Sequence, residues 1–476
     1  LQLLERRVEY QRRQWQGASA AHDFRFRESP DAGGITFVHR FVDDAGRDYK
    51  PVQYDHGSGV AAADVDGDGR LDLYLTTQLG ENQLWRGLGG GRFEEITRRA
   101  GVGMADQISV GCAFADVDGD GRPDLFVTTV RKGNRLIRNE GGGRFQDVTR
   151  ESGLVYSGHS SAAVFADFDR DGWLDLFVAN VGRYTTDEVG RGGYHVGHTN
   201  AFDGHLYPER SEYSLLYRNT GGGRFEEVSE RWGLRDASWC GEAVAMDANG
   251  DGYADLYLAN MQGDDRLYLN EGGRGFVERT SEHAARTPWG SVGVATLDVN
   301  QDGRTDLLVT DMHSDMTRQQ IQDALSLRPD LEKQKSEAYC SVQWTDEYLQ
   351  GASNNVFGNA LFLGSERAPW REVSDAFGAE TFWPWGASVG DLNADGFEDV
   401  VIPSGMGYPF RYAPNSVLIN EGGRRFRDAE FLLGVEPPAG GFLGLEWFTL
   451  DCSGADRSHP GCAGKSGLVR IPGSRT

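Results

Sequence analysis

A nine-residue acidic pattern recurs six times in this chain. It reads DVDGDGRLD (64–72), DVDGDGRPD (116–124), DFDRDGWLD (167–175), DANGDGYAD (247–255), DVNQDGRTD (298–306) and DLNADGFED (391–399). The copies start 52, 51, 80, 51 and 93 residues apart. A period near 50 residues constrains the fold more than any other feature, because each repeat must be one small unit that buries its apolar face on the next.

Like charges crowded into one loop repel, so the loops ask for a cation. Oxygens on alternate residues can converge on one point, which suits a hard ion with six to eight oxygen ligands, namely calcium. The expected ligands by loop are Asp64, Asp66, Asp68, Arg70 and Asp72; Asp116, Asp118, Asp120, Arg122 and Asp124; Asp167, Asp169, Asp171, Trp173 and Asp175; Asp247, Asn249, Asp251, Tyr253 and Asp255; Asp298, Asn300, Asp302, Arg304 and Asp306; Asp391, Asn393, Asp395, Phe397 and Asp399. The seventh residue of each loop would offer its backbone carbonyl. Gly69 and its counterparts at position six permit the sharp turn. The closing carboxylate stands at position nine and opens a β-rich run such as Leu73–Thr77, so these are not EF-hands, which close with Glu at position twelve.

A second signature follows each loop, as in NQLWRGLGGGRFEEIT (82–97), NRLIRNEGGGRFQDVT (134–149) and NSVLINEGGRRFRDAE (415–430); NALFLGSERAPWREVS (359–374) is a degenerate copy. The unit reads as a small-residue strand, acidic loop, apolar strand, third strand, Gly-rich hairpin turn and fourth strand. Four short strands per repeat describe a β-propeller blade.

These units resemble FG-GAP/VCBS repeats, as in the integrin α head, and more closely those of the ASPIC/UnbV and cartilage acidic protein type, over roughly residues 33–470. The resemblance implies an all-β, seven-bladed propeller with about six calcium ions between first and second strands. Six complete units are visible. GGITFVHRF (33–41) resembles a fourth strand, and a closed ring would pair it with C-terminal strands. The sequence ends at GLVRIPGSRT, where another small-residue strand and loop are expected, so the chain reads as a fragment with a partial seventh blade. The expected organisation is a helical leader over 1–30 and a propeller over 31–476, with insertions at 181–213 and 311–355. Residues 1–16 read as a basic amphipathic helix and 316–335 as a helix in the second insertion.

Net charge is −24, and the six loops hold 21 aspartates. Six Ca²⁺ would halve that charge, so much of the acidity is ligand supply; the rest argues against nucleic-acid and anionic-lipid partners. No run approaches 18 apolar residues, so no membrane span is expected. Calcium loops of this kind favour an extracytoplasmic home, secreted, periplasmic or on the cell surface. Cys452 and Cys462 bracket a short polar loop and are expected to form a disulfide. Cys112 in a first strand reads as a buried small hydrophobe.

Three further clusters are candidates. His195, His198 and His205 in the first insertion are zinc or copper ligand types, but their spacing matches no strong template and an exposed polar loop is favoured. Asp311, His313 and Asp315 follow a second strand directly; they read as anchoring polars ahead of a pore-mouth site. His56, His159, Trp239, Glu242, Trp289 and Trp385 precede or begin first strands. They either form an aromatic, polar ligand funnel on one face or seal blade against blade. No nucleophile elbow, Walker loop, Rossmann glycine pattern or zinc-protease motif is present. The expected function is a calcium-stabilised scaffold for a protein or glycan ligand. The alternative is an extracytoplasmic lyase or metal-dependent enzyme with its site in the funnel or the His-rich insertion. An integrin-like adhesion head is a weaker third reading.

Overall fold

Each acidic loop joins a strand of small residues to a strand of large apolar ones, and the two pair antiparallel across it. The computed structural model describes residues 24–27, 32–40, 59–189, 194–198, 208–261, 263–288, 290–312, 355–356, 358–381, 384–404, 415–436, 446–453, 462–464, 466 and 468–472. The protein is all-β, and its described residues form six four-stranded antiparallel sheets, the blades of a propeller. Blade 1 is β1 (Val60–Ala63), β2 (Asp72–Leu75), β3 (Gln83–Gly89) and β4 (Arg92–Glu95). Blade 2 is β5 (Ile108–Ala115), β6 (Asp124–Val130), β7 (Arg135–Gly141) and β8 (Arg144–Asp147). Blade 3 contains β9 (Ser160–Ala166) and β10 (Asp175–Asn180), then a separate hairpin of β11 (Thr185–Val189) and β12 (His195–Gly197), then β13 (Leu215–Asn219) and β14 (Phe225–Glu227). Blade 4 is β15 (Cys240–Met246), β16 (Asp255–Asn260), β17 (Arg266–Asn270) and β18 (Phe276–Glu278). A short β19 (Thr287–Pro288) precedes blade 5, which is β20 (Ser291–Leu297), β21 (Asp306–Asp311), β23 (Ala360–Leu363) and β24 (Arg371–Glu372); β22 (Asn355–Val356) pairs parallel with β19. Blade 6 is β25 (Ser388–Gly390), β26 (Asp399–Ile402), β27 (Ser416–Asn420) and β28 (Phe426–Asp428).

The strand order within each blade follows the sequence unit. The second strands depart from simple alternation: every residue of β6, β10, β16 and β21 is buried. They are covered on both faces, because the core lies between blades and not inside one. Phe168, Phe177 and Leu216 of blade 3 pack with Leu256, Leu258 and Tyr268 of blade 4. Leu297, Leu308 and Leu361 of blade 5 pack likewise with Val400, Ile402 and Leu418 of blade 6. First strands must be small where they crowd: a Cβ on Gly111 would stand 2.5 Å from the Ser161 carbonyl of the next blade.

An asparagine of the third strand ties each such blade to the previous loop. Asn139 Nδ2 donates to Val65 O, Asn219 Nδ2 to Val117 O, Asn270 Nδ2 to Phe168 O and Asn420 Nδ2 to Val299 O, at 2.8–2.9 Å. Asn270→Ala strands the buried Phe168 carbonyl and is expected to cost about 1–3 kcal/mol in chemical denaturation. An unchanged midpoint would remove this tie from the account.

Residues 24–27, and not 33–41, stand to blade 6 as an outer strand would. Phe26 N–H donates to Leu433 O at 2.7 Å, as Phe276 N–H does to Trp232 O one blade over at 2.6 Å. Residues 32–40 run beside blade 1, where Arg40 N–H donates to Thr77 Oγ1 at 2.9 Å. Beyond blade 6, β29 (Glu446–Asp451) pairs antiparallel with β30 (Leu468–Pro472), and the connection between them carries a Cys452–Cys462 disulfide. Cys112 is half-buried and reduced, as is the fully buried Cys240. Among the described residues the α-helices are single turns, α1 (Thr97–Ala100), α2 (Thr280–His283) and α3 (Ser374–Phe377), and none is long and apolar enough to cross a membrane. The leader 1–16 and the expected helix 316–335 lie outside the described residues.

Candidate metal centres

All six acidic loops fold the same way, and their backbone amides explain it. The first aspartate gathers the turn: Asp64 Oδ1 accepts from Gly67 N and Asp68 N, and its Oδ2 from Gly69 N at 2.7 Å. Asp116, Asp167, Asp247, Asp298 and Asp391 accept from the position-six amide in the same way. The fifth residue accepts from the seventh amide, as Asp251 Oδ1 does from Tyr253 N and Asp395 Oδ1 from Phe397 N. Position six is a left-handed glycine in every loop, with φ between 80° and 93°. Position four is left-handed too, although it holds Arg170, Gln301 and Ala394 in three loops. Non-glycine residues pay strain there, and such strain collects at functional loops.

The closing aspartate is fully buried in each loop. Asp255 Oδ2 accepts from Ala248 N at 2.8 Å and its Oδ1 from Asn270 N at 2.7 Å, so it pins the loop to the third strand. Asp72, Asp124, Asp175, Asp306 and Asp399 make the matching pair of bonds. Burial pushes these carboxyls up, to about 7 for Asp175 and Asp255 and about 6 for Asp124, Asp306 and Asp399. Each is a buried acid whose two oxygens are held by backbone amides.

In three loops the carboxylate oxygens also converge. Asp64, Asp66 and Asp72, then Asp116, Asp118 and Asp124, then Asp167, Asp169 and Asp175, each offer oxygens within 4.8 Å of one another, close enough to hold a metal ion. Asp66 Oδ1 is buried with no hydrogen-bond partner. An all-oxygen set with an orphaned acceptor fits a hard divalent cation.

His195 opens β12 of the first insertion's hairpin, and His198 follows that strand directly. His195 and His198 are three residues apart on extended chain, an odd spacing that alternates faces, and His198 N–H donates to Tyr184 O. Neither joins a cluster of three metal-ligand residues among the described residues. Of the candidate funnel, two members are core. His159 is buried between Glu212, whose Oε1 is 2.9 Å from Nδ1, and Thr185, whose Oγ1 is 2.7 Å from Nε2. Burial opposes ionisation of Glu212, yet its bonds from His159 hold the carboxyl below its usual range. Trp239 is buried against Val181, Tyr184 and Met261. Trp385 is exposed and Glu242 half-buried; burial pushes the Glu242 carboxyl up to about 7. Asp311 is buried, where Oδ2 accepts from Gly358 N. His56, His205, Trp289, His313 and Asp315 lie outside the described residues.

A sequence profile described as an FG-GAP-like repeat matches residues 64–127, 116–178 and 247–309. The chain carries FG-GAP-like repeats. Each match starts at the first aspartate of an acidic loop and ends in the second strand of the next blade, so the profile and the loop–strand geometry coincide. The chain is also similar to cartilage acidic protein 1. The human protein is 24% identical over 243 residues, 50% of this chain and 33% of the relative. The Xenopus tropicalis protein is 26% identical over 302 residues, 56% of this chain and 41% of the relative. The chain thus spans well under half the length of these relatives. Among solved structures, an Agrocybe aegerita lectin described as recognising non-reducing terminal N-acetylglucosamine aligns with TM-score 0.44 and 16% identity over 83% of each chain.

Functional residues absent from the sequence reading are Arg86, Arg218 and Glu212. The arginines had a signal: they stand in the third strand directly before the residue whose amide binds the closing aspartate.

Proposed function

We propose that this chain is an extracytoplasmic, calcium-stabilised propeller that presents one face to a protein or glycan ligand. The carrying observation is the six-fold loop with a fully buried closing aspartate. Calcium would be held by the aspartates and asparagines of positions one, three, five and nine, with the carbonyl of position seven. It would neutralise those carboxylates and lock first strand to second; the ion is structural. The similarity to cartilage acidic protein 1 supports an extracytoplasmic setting, since millimolar calcium is found there. The ligand face is the one where the first strands begin. His159 and Trp239 brace it from below, and Trp385 stands exposed on it.

Binding to a glycan array and an extracellular protein panel, with millimolar calcium or with EGTA, tests this reading. It expects a ligand held in calcium, lost in EGTA and weakened about tenfold by Trp385→Ala. Binding that is indifferent to both changes, or turnover of the ligand, would contradict it.

A further inference from the structure

The six loops differ at position three, and the difference is matched elsewhere. Blades 1–3 carry Asp66, Asp118 and Asp169 there; blades 4–6 carry Asn249, Asn300 and Asn393. On the third strand, the residue just before the amide that binds the closing aspartate is Arg86, Arg138 and Arg218 in blades 1–3 but Leu269, Leu363 and Ile419 in blades 4–6. Aspartate goes with arginine and asparagine with an aliphatic side chain in all six. Each exchange adds one negative and one positive charge together.

The contacts show what the arginine does. Arg86 Nε stands 2.6 Å from Asp66 Oδ2, and Nη2 stands 3.0 Å from Asp68 Oδ2. Arg218 Nε stands 2.5 Å from Asp169 Oδ2, and Nη2 stands 2.6 Å from Asp171 Oδ2. In blade 2 the guanidinium of Arg138 lies 2.6 Å from Glu140 while its charge still acts on Asp118. In blades 4–6 the asparagine amide turns to the fifth residue instead: Asn249 Nδ2 donates to Asp251 Oδ2, Asn300 to Asp302 and Asn393 to Asp395, at 3.0–3.2 Å.

We propose that the loops form two classes: guarded loops in blades 1–3, where a third-strand guanidinium either sits on the loop carboxylates, as in blades 1 and 3, or acts on them from beside the loop, as in blade 2, and open loops in blades 4–6, where that position is aliphatic. This rests on the calcium reading above. In a guarded loop the cation must draw Asp66 and Asp68, or Asp169 and Asp171, away from a bound arginine. Calcium therefore fills blades 4–6 first. When calcium is withdrawn, blades 1–3 keep their loops and blades 4–6 loosen. One half of the ring is a fixed frame, and the other responds to calcium.

The test is calcium titration by calorimetry together with melting in EGTA, on wild type, Arg218→Leu, and Arg218→Leu with Asp169→Asn. The double variant gives blade 3 the pairing native to blade 4. Wild type should bind in two classes. Arg218→Leu should tighten one site about tenfold, since it removes a competing charge, and should lower the calcium-free melting temperature; the double variant should restore it. If Arg218→Leu impairs folding, the reverse experiment decides. Asn249→Asp should lower calcium-free melting and Leu269→Arg should rescue it. Calcium bound in a single class, or calcium-free melting unmoved by either arginine exchange, would overturn the proposal and leave the calcium reading intact. No calcium bound by wild type would overturn both.

Discussion

Asp255→Ala is expected to remove one calcium from the protein and to destabilise it by about 3 kcal/mol even in excess calcium. The side chain is fully buried, and its two oxygens take amide hydrogens from Ala248 and Asn270. Alanine leaves both donors in a dry site and removes a ligand. Asn270 also ties blade 4 to the loop of blade 3, so the loss spreads to a second loop. Asp255→Asn keeps an acceptor oxygen and should lose the ion with a smaller fall in stability. Calcium content and denaturant midpoints of the two variants measure this. Equal, small effects would mean that the closing aspartate neither binds an ion nor holds the strand.

The stabilisation by calcium should shrink as pH falls from 8 to 5. The closing carboxyls titrate near 6 to 7 in the calcium-free fold, above their unfolded value near 4, and burial is the main cause. The folded chain without calcium therefore binds more protons than the unfolded chain between about pH 4 and 7, and its stability rises as pH falls through that window. Calcium requires the ionised form, so binding releases protons, and affinity drops about tenfold per pH unit for each proton released. Melting with and without calcium at several pH values checks both signs. The two curves should converge toward pH 5. Parallel curves would contradict the ionised, ion-bound state of these aspartates.

The blades and loops were legible because each repeat states its own strand order and turn chemistry six times over. A single copy would not separate a calcium turn from an acidic one. The burial of the second strands was less legible: neighbouring blades cover both faces, so runs such as Asp175–Asn180 are buried throughout. The hairpin at Thr185–Val189 and His195–Gly197 was read as loop, since its strands are short and polar. His159 and Trp239 stand eight residues before the first aspartate of their loops and Trp385 six before its own, and sequence offered both lining and packing for all three. The structure buries the first two, His159 on Glu212 and Trp239 on the Val181–Tyr184 segment, and exposes the third. The seat of Phe26 on blade 6 depends on a backbone bond to Leu433, which no residue pattern announces.

Metal content by mass spectrometry, on the purified protein before and after dialysis against EGTA, with melting followed in parallel, tests the central claim most directly. The account predicts about six calcium ions per chain and a large fall in melting temperature on their removal, reversed by adding calcium back. A protein that holds no calcium, or that melts at the same temperature without it, would contradict it.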